Sequence, residues 1–261
     1  MVNLPCLRFV QLLSLTVLSS GVASAQNLEA AKLNAFSHKD LQITVLKNPG
    51  SIIKTGFLGS TRVDDQLVIV RVQGKVVRTY VTSTARPGKT TPDGIYLAID
   101  RCRPNHTSNI YGSEMDWALF LDQDIAIHST TEDHYQELGR PASAGCMRLL
   151  RDDAKELFQF ATGAASTPGL GTTQDYVSTN QIGINILPED KVKAYWDSLS
   201  KDETKIISKM AVQNRKKIDT SVKTFYKHGD KADDVLEETF QTPQGRALSN
   251  PKAKPSSRFK H

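Results

Sequence analysis

Histidines are few in this chain, and none of them has the spacing of a metal-ligand pair. The six are His38, His106, His128, His134, His228 and His261. No H-x-x-x-H or H-E-x-x-H pattern occurs among them, so the sequence gives no support to a helical zinc site. We expect no metal site.

Long apolar runs are lacking outside the first 25 residues. In that segment Arg8 is the only charge, an apolar stretch runs from Phe9 to Leu18, and Ala23-Ser24-Ala25 fits an A-x-A cleavage site. The apolar stretch is too short to span about 30 Å of hydrocarbon. Residues 1–25 are therefore predicted to be a secretory signal peptide. The protein is expected to be exported to the periplasm or the cell wall.

Cysteines are scarce, with three in the chain, and the first, Cys6, lies in the predicted signal peptide. The mature protein then keeps Cys102 and Cys146. Two cysteines in an oxidising compartment suggest one disulfide, which is one interpretation of this pair. The other is that Cys146 is a reactive thiol. A bridge would then abolish its activity, and we expect the bridge to be absent during turnover.

Acidic residues are missing from Gln241–His261, which contain five basic residues. From Glu189 to the end there are 16 Lys/Arg against 11 Asp/Glu, whereas residues 26–188 are close to neutral. An exported chain without aromatic residues interleaved among its basic ones is a poor candidate for binding nucleic acid. An anionic wall polymer or membrane surface is the plausible counter-charge. A tail that only adds solubility is the alternative.

Alternating β-branched residues and turn residues predict a mainly β domain. The predicted strands are Leu41–Leu46, a hairpin over Gln66–Val81 turning at Gln73-Gly74, Ile95–Ile99, Trp117–Leu121, Ile125–Ile127 and Gln181–Leu187. Between them, Cys102–Tyr111 is predicted to be a polar loop, and so is Gly163–Gly171.

Helical patterns flank and interrupt this domain. Asn27–Lys39 is predicted to be a short helical arm, and Asp152–Ala161 an amphipathic helix with Ala154, Leu157, Phe158 and Ala161 on its core face. After Pro188, Ser200–Glu203 forms a capping box. The apolar residues that recur at helical spacing beyond it are Ile207, Met210, Ile218, Val222 and Phe225. That stripe either packs on the preceding domain or binds a partner.

The chemically distinctive stretch runs from Ile125 to Arg148. His128 ends an apolar run, and Cys146 follows the small residues Ser143, Ala144 and Gly145. A thiol becomes a good nucleophile once deprotonated, and a nearby imidazole is its usual activator. Small neighbours allow backbone N–H groups to form an oxyanion hole. Arg148 has the two-pronged guanidinium that pairs with a substrate carboxylate. A buried cysteine that acts only as a small hydrophobe is the alternative.

This stretch resembles the signature of the L,D-transpeptidase catalytic-domain family. The signature is a histidine, a spacer, Ser/Thr-His-Gly-Cys, an apolar residue and often an arginine. Here fourteen residues separate His128 from Ser143-Ala144-Gly145-Cys146-Met147-Arg148. The chain departs from the signature at Ala144, where the family has a second histidine. The earlier turn Thr91-Pro-Asp-Gly94 also resembles the family, and the resemblance covers about Val63–Leu187.

The resemblance implies a β-sandwich-like catalytic domain, followed here by a C-terminal α-helical extension. It also implies a peptidoglycan acyltransferase that acts in cell wall biogenesis and cell shape without a metal or organic cofactor. Cys146 would attack the carbonyl after the L-centre of diaminopimelate in a tetrapeptide stem and release D-Ala. His128 would serve as the base, and an amine of a second stem would resolve the thioester. The residues expected at the oxyanion or substrate are Ser143, Ala144, Gly145, Arg148 and Ser129.

Two other functions fit the same residues. Water could resolve the thioester, which would make the protein an L,D-carboxypeptidase or a hydrolase of a protein–wall link. The Ala144 departure also suits an inactive wall-binding scaffold, although His128 and Cys146 are both present. His134, in the loop between them, either lies near Ala144 or is a solvated loop residue.

With this reading the chain divides into five parts. They are a signal peptide (1–25), an N-terminal arm with the first strands (26–61), a catalytic domain (62–188), a helical extension (189–239) and a basic tail predicted to be disordered (240–261).

Overall fold

The computed structural model describes residues 25–47, 51–54, 60–63, 65–122, 124–163, 175–176, 178 and 181–227. The predicted signal peptide up to residue 24, the basic tail and most of the Gly163–Gly171 loop lie outside these ranges, and so those assignments stay predictions. Within the described ranges, no helix combines the length and apolarity needed to cross a membrane.

Eleven described strands and four described helices make up the fold. In chain order the strands are β1 (Leu41–Leu46), β2 (Ser51–Lys54), β3 (Ser60–Val63), β4 (Leu67–Val72), β5 (Lys75–Val81), β6 (Gly94–Tyr96), β7 (Arg101–Arg103), β8 (Ala118–Phe120), β9 (Ala126–Ser129), β10 (Met147–Leu149) and β11 (Ile182–Leu187). The helices are α1 (residues 25–37), α2 (Arg151–Thr162), α3 (Glu189–Ser198) and α4 (Lys201–Lys227), with a 3-10 helix at Glu132–Glu137.

The larger sheet has five strands in the order β5-β4-β1-β11-β6. The hairpin of β4 and β5 turns at Gln73 and Gly74, both in the left-handed region with φ of 49° and 76°, as the turn dipeptide predicts. β1 lies antiparallel to β4 and parallel to β11. The last strand of the domain therefore occupies the interior of the sheet, beside the first.

The smaller sheet has four strands in the order β10-β9-β8-β7. The prediction of a polar loop over Cys102–Tyr111 was wrong at its start, because β7 pairs antiparallel with β8 there. Cys102 is buried in the core while Arg101 and Arg103 stay half-exposed on the other face. A strand of three residues with two arginines carries too little apolar pattern to be recognised from sequence.

The two sheets pack against each other around one core, which confirms the predicted mainly β, sandwich-like class. Ile43 and Ile184 from the larger sheet and Ile127 and Met147 from the smaller one belong to a single buried cluster. α2 closes that cluster at one side. As predicted, its Ala154, Leu157, Phe158 and Ala161 are all buried there.

The C-terminal helices cover the opposite face of the larger sheet. Ile207, Ala211, Ile218 and Val222 of α4 pack with Ile69 in a second buried cluster. Of the two readings of the apolar stripe, packing on the preceding domain is the one observed. The predicted capping box is present as well, since Ser200 Oγ accepts the Glu203 N–H at 3.2 Å and Glu203 Oε2 accepts the Ser200 N–H at 3.2 Å.

The N-terminal helix α1 forms where Asn27–Lys39 predicts one, and most of its side chains are exposed. Phe36 is its buried anchor. A Cβ on Gly183 of β11 would come within 2.6 Å of the Phe36 ring, so the absence of a side chain at Gly183 is what lets the ring lie against the strand.

Candidate active site

Alternation of side chains along β9 and β10 separates a core face from an outer face. Ile127, Met147 and Leu149 belong to the core between the sheets. His128 and Arg148, which are register partners in this parallel pair, therefore point to the outer face. Two neighbouring strand ends thus present an imidazole and a guanidinium on one surface.

Cys146 joins this surface just before β10 begins. It packs against a small buried cluster formed by Met115, Ala118, Phe120 and Ala126, on the outer side of the smaller sheet. Both candidate residues, His128 and Cys146, line one cavity of about 640 Å³ there. Ser143, Ala144, Gly145 and Arg148 also line it. The structure therefore brings together all but one of the residues singled out from the sequence.

The exception is Ser129, whose side chain does not line the cavity. Its backbone instead fixes His128, because the Ser129 carbonyl accepts a hydrogen bond from His128 Nδ1 at 2.5 Å. A carbonyl can only accept, so Nδ1 carries the proton and Nε2 of the neutral ring is left as a proton acceptor. Ser129 N–H in turn donates to the Asp116 carbonyl at 2.8 Å, which holds the end of the strand.

Burial keeps His128 neutral. It lowers the pKa of the imidazole to about 4, with smaller lowering contributions from the charge of Arg148 and from the neighbouring His106, and the Ser129 carbonyl opposes the shift. An imidazole with this pKa is unprotonated at neutral pH. It can therefore act as a base from the start of a reaction cycle.

Cys146 is a thiol rather than a preformed thiolate. Burial raises its pKa, as do the charges of Asp122 and Asp124, while a backbone hydrogen bond at Ala126 and the charge of Arg148 work the other way. Its Sγ donates to the Asp124 carbonyl at 3.5 Å. The thiol proton must therefore be removed when the nucleophile is needed, and a neutral base in the same cavity suits that step.

The turn before Cys146 requires a glycine. Gly145 has φ of +150°, and a Cβ there would approach the Thr90 carbonyl to 3.1 Å and Ile125 Cδ1 to 3.2 Å. Thr91 Oγ1 donates to the Gly145 carbonyl at 2.7 Å and accepts the Ala85 N–H at 3.0 Å. The Thr91-Pro-Asp-Gly94 turn thus holds the turn before Cys146 in place through Thr91. The sequence did not reveal this contact.

Backbone amides at this turn are available to a ligand. Gly145 N–H is occupied by Ser143 Oγ at 3.1 Å. Within the described part of the chain, the N–H groups of Ala144 and Cys146 take part in no protein hydrogen bond. They flank the thiol, which is where the donors of an oxyanion hole belong.

Arg148 is held in place by Glu137, which lies between His128 and Cys146 in the chain, and by Ser83. Its Nη2 donates to Glu137 Oε2 at 2.6 Å and to Ser83 Oγ at 3.3 Å. Glu137 Oε1 also lies 3.2 Å from His134 Nδ1, so His134 belongs to this network at the cavity wall. Among the described residues no acceptor reaches the buried Arg148 Nε. Any substrate carboxylate at Arg148 would share the guanidinium with Glu137.

Cys102 and Cys146 lie on opposite faces of the smaller sheet. Cys102 belongs to the core between the sheets, where burial raises its pKa to about 12, and Cys146 faces the cavity. Both are free thiols. A Cys102–Cys146 disulfide does not fit this arrangement, because each side chain points away from the other across the sheet.

The cavity contains residues that the sequence analysis did not single out. His106, Arg103 and Phe120 form its wall on the β7–β8 side, and Glu137 completes the wall beside Arg148. No sequence signal marks them, because they come from segments that only the strand order brings together. No three His, Cys, Asp or Glu residues in the described ranges cluster as metal ligands.

Comparison with protein families finds one match. Residues 61–177 match the model of the YkuD family, described as the L,D-transpeptidase catalytic domain. Comparison with curated proteins gives no match.

The solved structures to which this chain is similar include several L,D-transpeptidases. One from Mycobacterium tuberculosis shares 16% identity with a TM-score of 0.40, over 57% of this chain and 58% of that one. One from Stackebrandtia nassauensis shares 17% identity with a TM-score of 0.39, over 58% and 57%. One from Mycobacterium smegmatis shares 16% identity with a TM-score of 0.38, over 57% and 59%. This chain thus spans less than two thirds of the length of each.

Proposed function

From the match of residues 61–177 to the model of the L,D-transpeptidase catalytic domain, we propose that the protein is a peptidoglycan L,D-transpeptidase. Its acyl donor is a tetrapeptide stem of the cell wall, and its nucleophile is Cys146. The observation that carries the proposal is the shared cavity of Cys146 and a neutral His128 with a free Nε2.

The first half-reaction forms a thioester. Sγ of Cys146 attacks the carbonyl after the L-centre of diaminopimelate while His128 Nε2 takes the thiol proton. The N–H groups of Ala144 and Cys146 stabilise the oxyanion of the tetrahedral intermediate. Collapse breaks the C–N bond to D-Ala, whose amine leaves with the proton from the imidazolium.

The second half-reaction releases the enzyme. An amine of a second stem attacks the thioester, loses a proton to the neutral imidazole and forms the new amide bond. The thiol then regains that proton as Sγ departs. If water takes the place of the amine, the product is a tripeptide stem instead of a cross-link. The resolving nucleophile alone decides between transpeptidase and carboxypeptidase.

The proposal is tested by incubating the mature protein with purified tetrapeptide stems and measuring product masses. We expect cross-linked dimers, released D-Ala and a thioester adduct on Cys146. The variant Cys146→Ala should give none of these while keeping the wild-type circular dichroism spectrum, since it removes one small side chain at the cavity surface. Tripeptide alone would make the protein a hydrolase. No product from the folded wild type would contradict the proposal and favour the scaffold alternative.

A further inference from the structure

We propose that His106 is a substrate-binding residue that donates a hydrogen bond from Nε2 to a backbone carbonyl on the acyl side of the donor stem. This inference rests on the proposed function, because it names a further contact for the same substrate. It assigns a role to the β7–β8 wall of the cavity. The proposed chemistry of Cys146 and His128 does not involve this wall.

The tautomer of His106 follows from its neighbour. Nδ1 lies 3.3 Å from Nη1 of Arg103. A guanidinium has only donors, so Nδ1 accepts and the proton of the neutral ring is on Nε2. His106 therefore cannot take the proton of the thiol, and His128 remains the only one of the two that can.

His106 is also fixed in place. Arg103 is itself held by Asp175, whose two carboxylate oxygens lie 2.6 Å and 3.0 Å from its Nε and Nη2. The imidazole packs edge-on against Phe120 with 5.1 Å between ring centroids. A donor whose ring is anchored on two sides loses little conformational entropy when it binds a carbonyl.

The ring stays uncharged at neutral pH. Burial lowers the pKa of His106, and the charges of Arg103 and Arg101 lower it further. A neutral donor is suited to an amide carbonyl, whereas a cationic one would favour a carboxylate. The chemistry of this wall therefore points to the peptide backbone of the substrate.

The position of His106 indicates which carbonyl it meets. Cys146 packs in the cluster of Ala126, which is the register partner of Phe120, and the His106 ring lies 5.1 Å from the Phe120 ring. The strand that follows Cys146 and the strand of Phe120 are two spacings of about 4.8 Å apart, so the imidazole packed on Phe120 lies on the order of 10 Å from the thiol. At about 3.3 Å per residue of extended peptide, that distance is longer than the single D-Ala on the leaving side of the attacked carbonyl, and so the contact is assigned to the acyl side of the stem.

The test separates peptide binding from thiol reactivity. We would measure the rate constant for acylation of Cys146 by a tetrapeptide stem and by p-nitrophenyl acetate, which has no stem. The variants are His106→Phe, which keeps an aromatic ring against Phe120, and His106→Gln, which keeps a donor near the Nε2 position. His38→Phe, at the exposed end of α1 outside the cavity, is the matched control.

We expect His106→Phe to slow acylation by the stem about 10- to 100-fold and to leave acylation by the small ester within about 2-fold. His106→Gln should recover most of the stem rate, and His38→Phe should match the wild type. Nitrogen-15 NMR of the wild type should show a protonated Nε2 on His106.

Three results would overturn the inference. They are an unchanged stem rate in His106→Phe, an equal loss with both acyl donors, or a protonated Nδ1 in the NMR spectrum. Failure of the wild type itself to be acylated by the stem would instead overturn the proposed function, and this contact with it.

Discussion

At the scale of single residues, the lowered pKa that keeps His128 ready as a base also makes the free energy of unfolding depend on pH. The unfolded chain binds a proton at this histidine below its ordinary pKa of 6.5, whereas the folded protein does so only near pH 4. Between these values the unfolded state holds more protons, so stability falls as the pH falls. A base that is ready at neutral pH therefore makes the protein sensitive to acid.

We predict that this one residue lowers the free energy of unfolding by about 3 kcal/mol between pH 6.5 and pH 4. The variant His128→Gln lacks the titrating group and should lose correspondingly less stability over the same range. Urea unfolding of both proteins at several pH values measures the difference, because the carboxylates that titrate there are common to both. Parallel losses in the two proteins would contradict the prediction.

The sequence pointed to His128 and Cys146, and the structure places them in one cavity. The prediction was feasible because a histidine at a strand end and a cysteine behind a run of small residues stand at the spacing of the family signature, which is a local pattern. His106, Glu137 and the contact of Thr91 with the Gly145 carbonyl could not be found in this way. Their contacts depend on which strands become neighbours, and that order is not encoded in spacing along the chain.

At the scale of elements, the turn at Gly145 holds the nucleophile and its neighbouring amides in one geometry. We predict that Gly145→Ala slows acylation by at least about 10-fold, because the backbone must move away from the Thr90 carbonyl and disturb the oxyanion donors. The measurement is the acylation rate beside the thermal unfolding temperature.

The matched control is Gly74→Ala in the hairpin turn. Gly74 also has positive φ, at 76°, but a Cβ there meets nothing within 4 Å. Both variants should lose about 1 kcal/mol of stability from backbone strain, and only Gly145→Ala should lose activity. Equal activities would show that the turn tolerates the shift.

Helix α4 is joined to the edge of the larger sheet through a buried asparagine. Asn214 Oδ1 accepts the N–H of Val81 at 2.7 Å, and its Nδ2 donates to Asp153 Oδ2 at 2.7 Å. β5 is an edge strand, so this side chain satisfies a backbone donor that would otherwise be left without a partner when the helix covers it.

We predict that Asn214→Ala lowers the free energy of unfolding by about 2–4 kcal/mol, because it leaves both a buried N–H and part of a buried carboxylate without a partner. Gln213→Ala, one position away on the exposed side of α4, should change it by less than about 0.5 kcal/mol. Chemical denaturation of the two variants gives the comparison. A loss below 1 kcal/mol for Asn214→Ala would mean that water replaces the amide.

The elements that sequence predicted well are those with a repeated pattern. The hairpin at Gln73-Gly74, the buried face of α2 and the stripe of α4 each extend over several residues of consistent period. β7 was missed because it is too short to show one. The interior place of β11 was also unpredicted, since a strand buried on both sides looks the same in sequence wherever it lies in the sheet.

At the scale of the whole molecule, charge is unevenly distributed along the chain. The segment from Gln241 to the end has five basic residues and no acidic one, whereas residues 26–188 are nearly neutral. We predict that this segment increases binding to anionic wall sacculi and has no part in the chemistry. The attraction should weaken as salt rises, because charges are screened over about 8–10 Å near physiological ionic strength.

The comparison is between the mature protein and a version that ends at Phe240, pelleted with intact sacculi at low and high salt. The longer form should pellet more strongly at low salt only, and both should turn over soluble stems at the same rate. Equal pelleting at low salt would leave the tail as a solubilising extension. A slower rate for the shorter form would show that the tail reaches the active site.

The pairing of β1 with β11 also affects the order in which the chain folds during synthesis. Synthesis begins at the N-terminus, so β1 and the β4–β5 hairpin emerge long before the strand that lies between β1 and β6. Closing so long a loop is slow, and it delays the assembly of the central sheet. In the nascent chain, the edge of β1 that later pairs with β11 therefore has no partner until residues 182–187 have been synthesised. For that interval the edge of β1 is open to pairing with another chain.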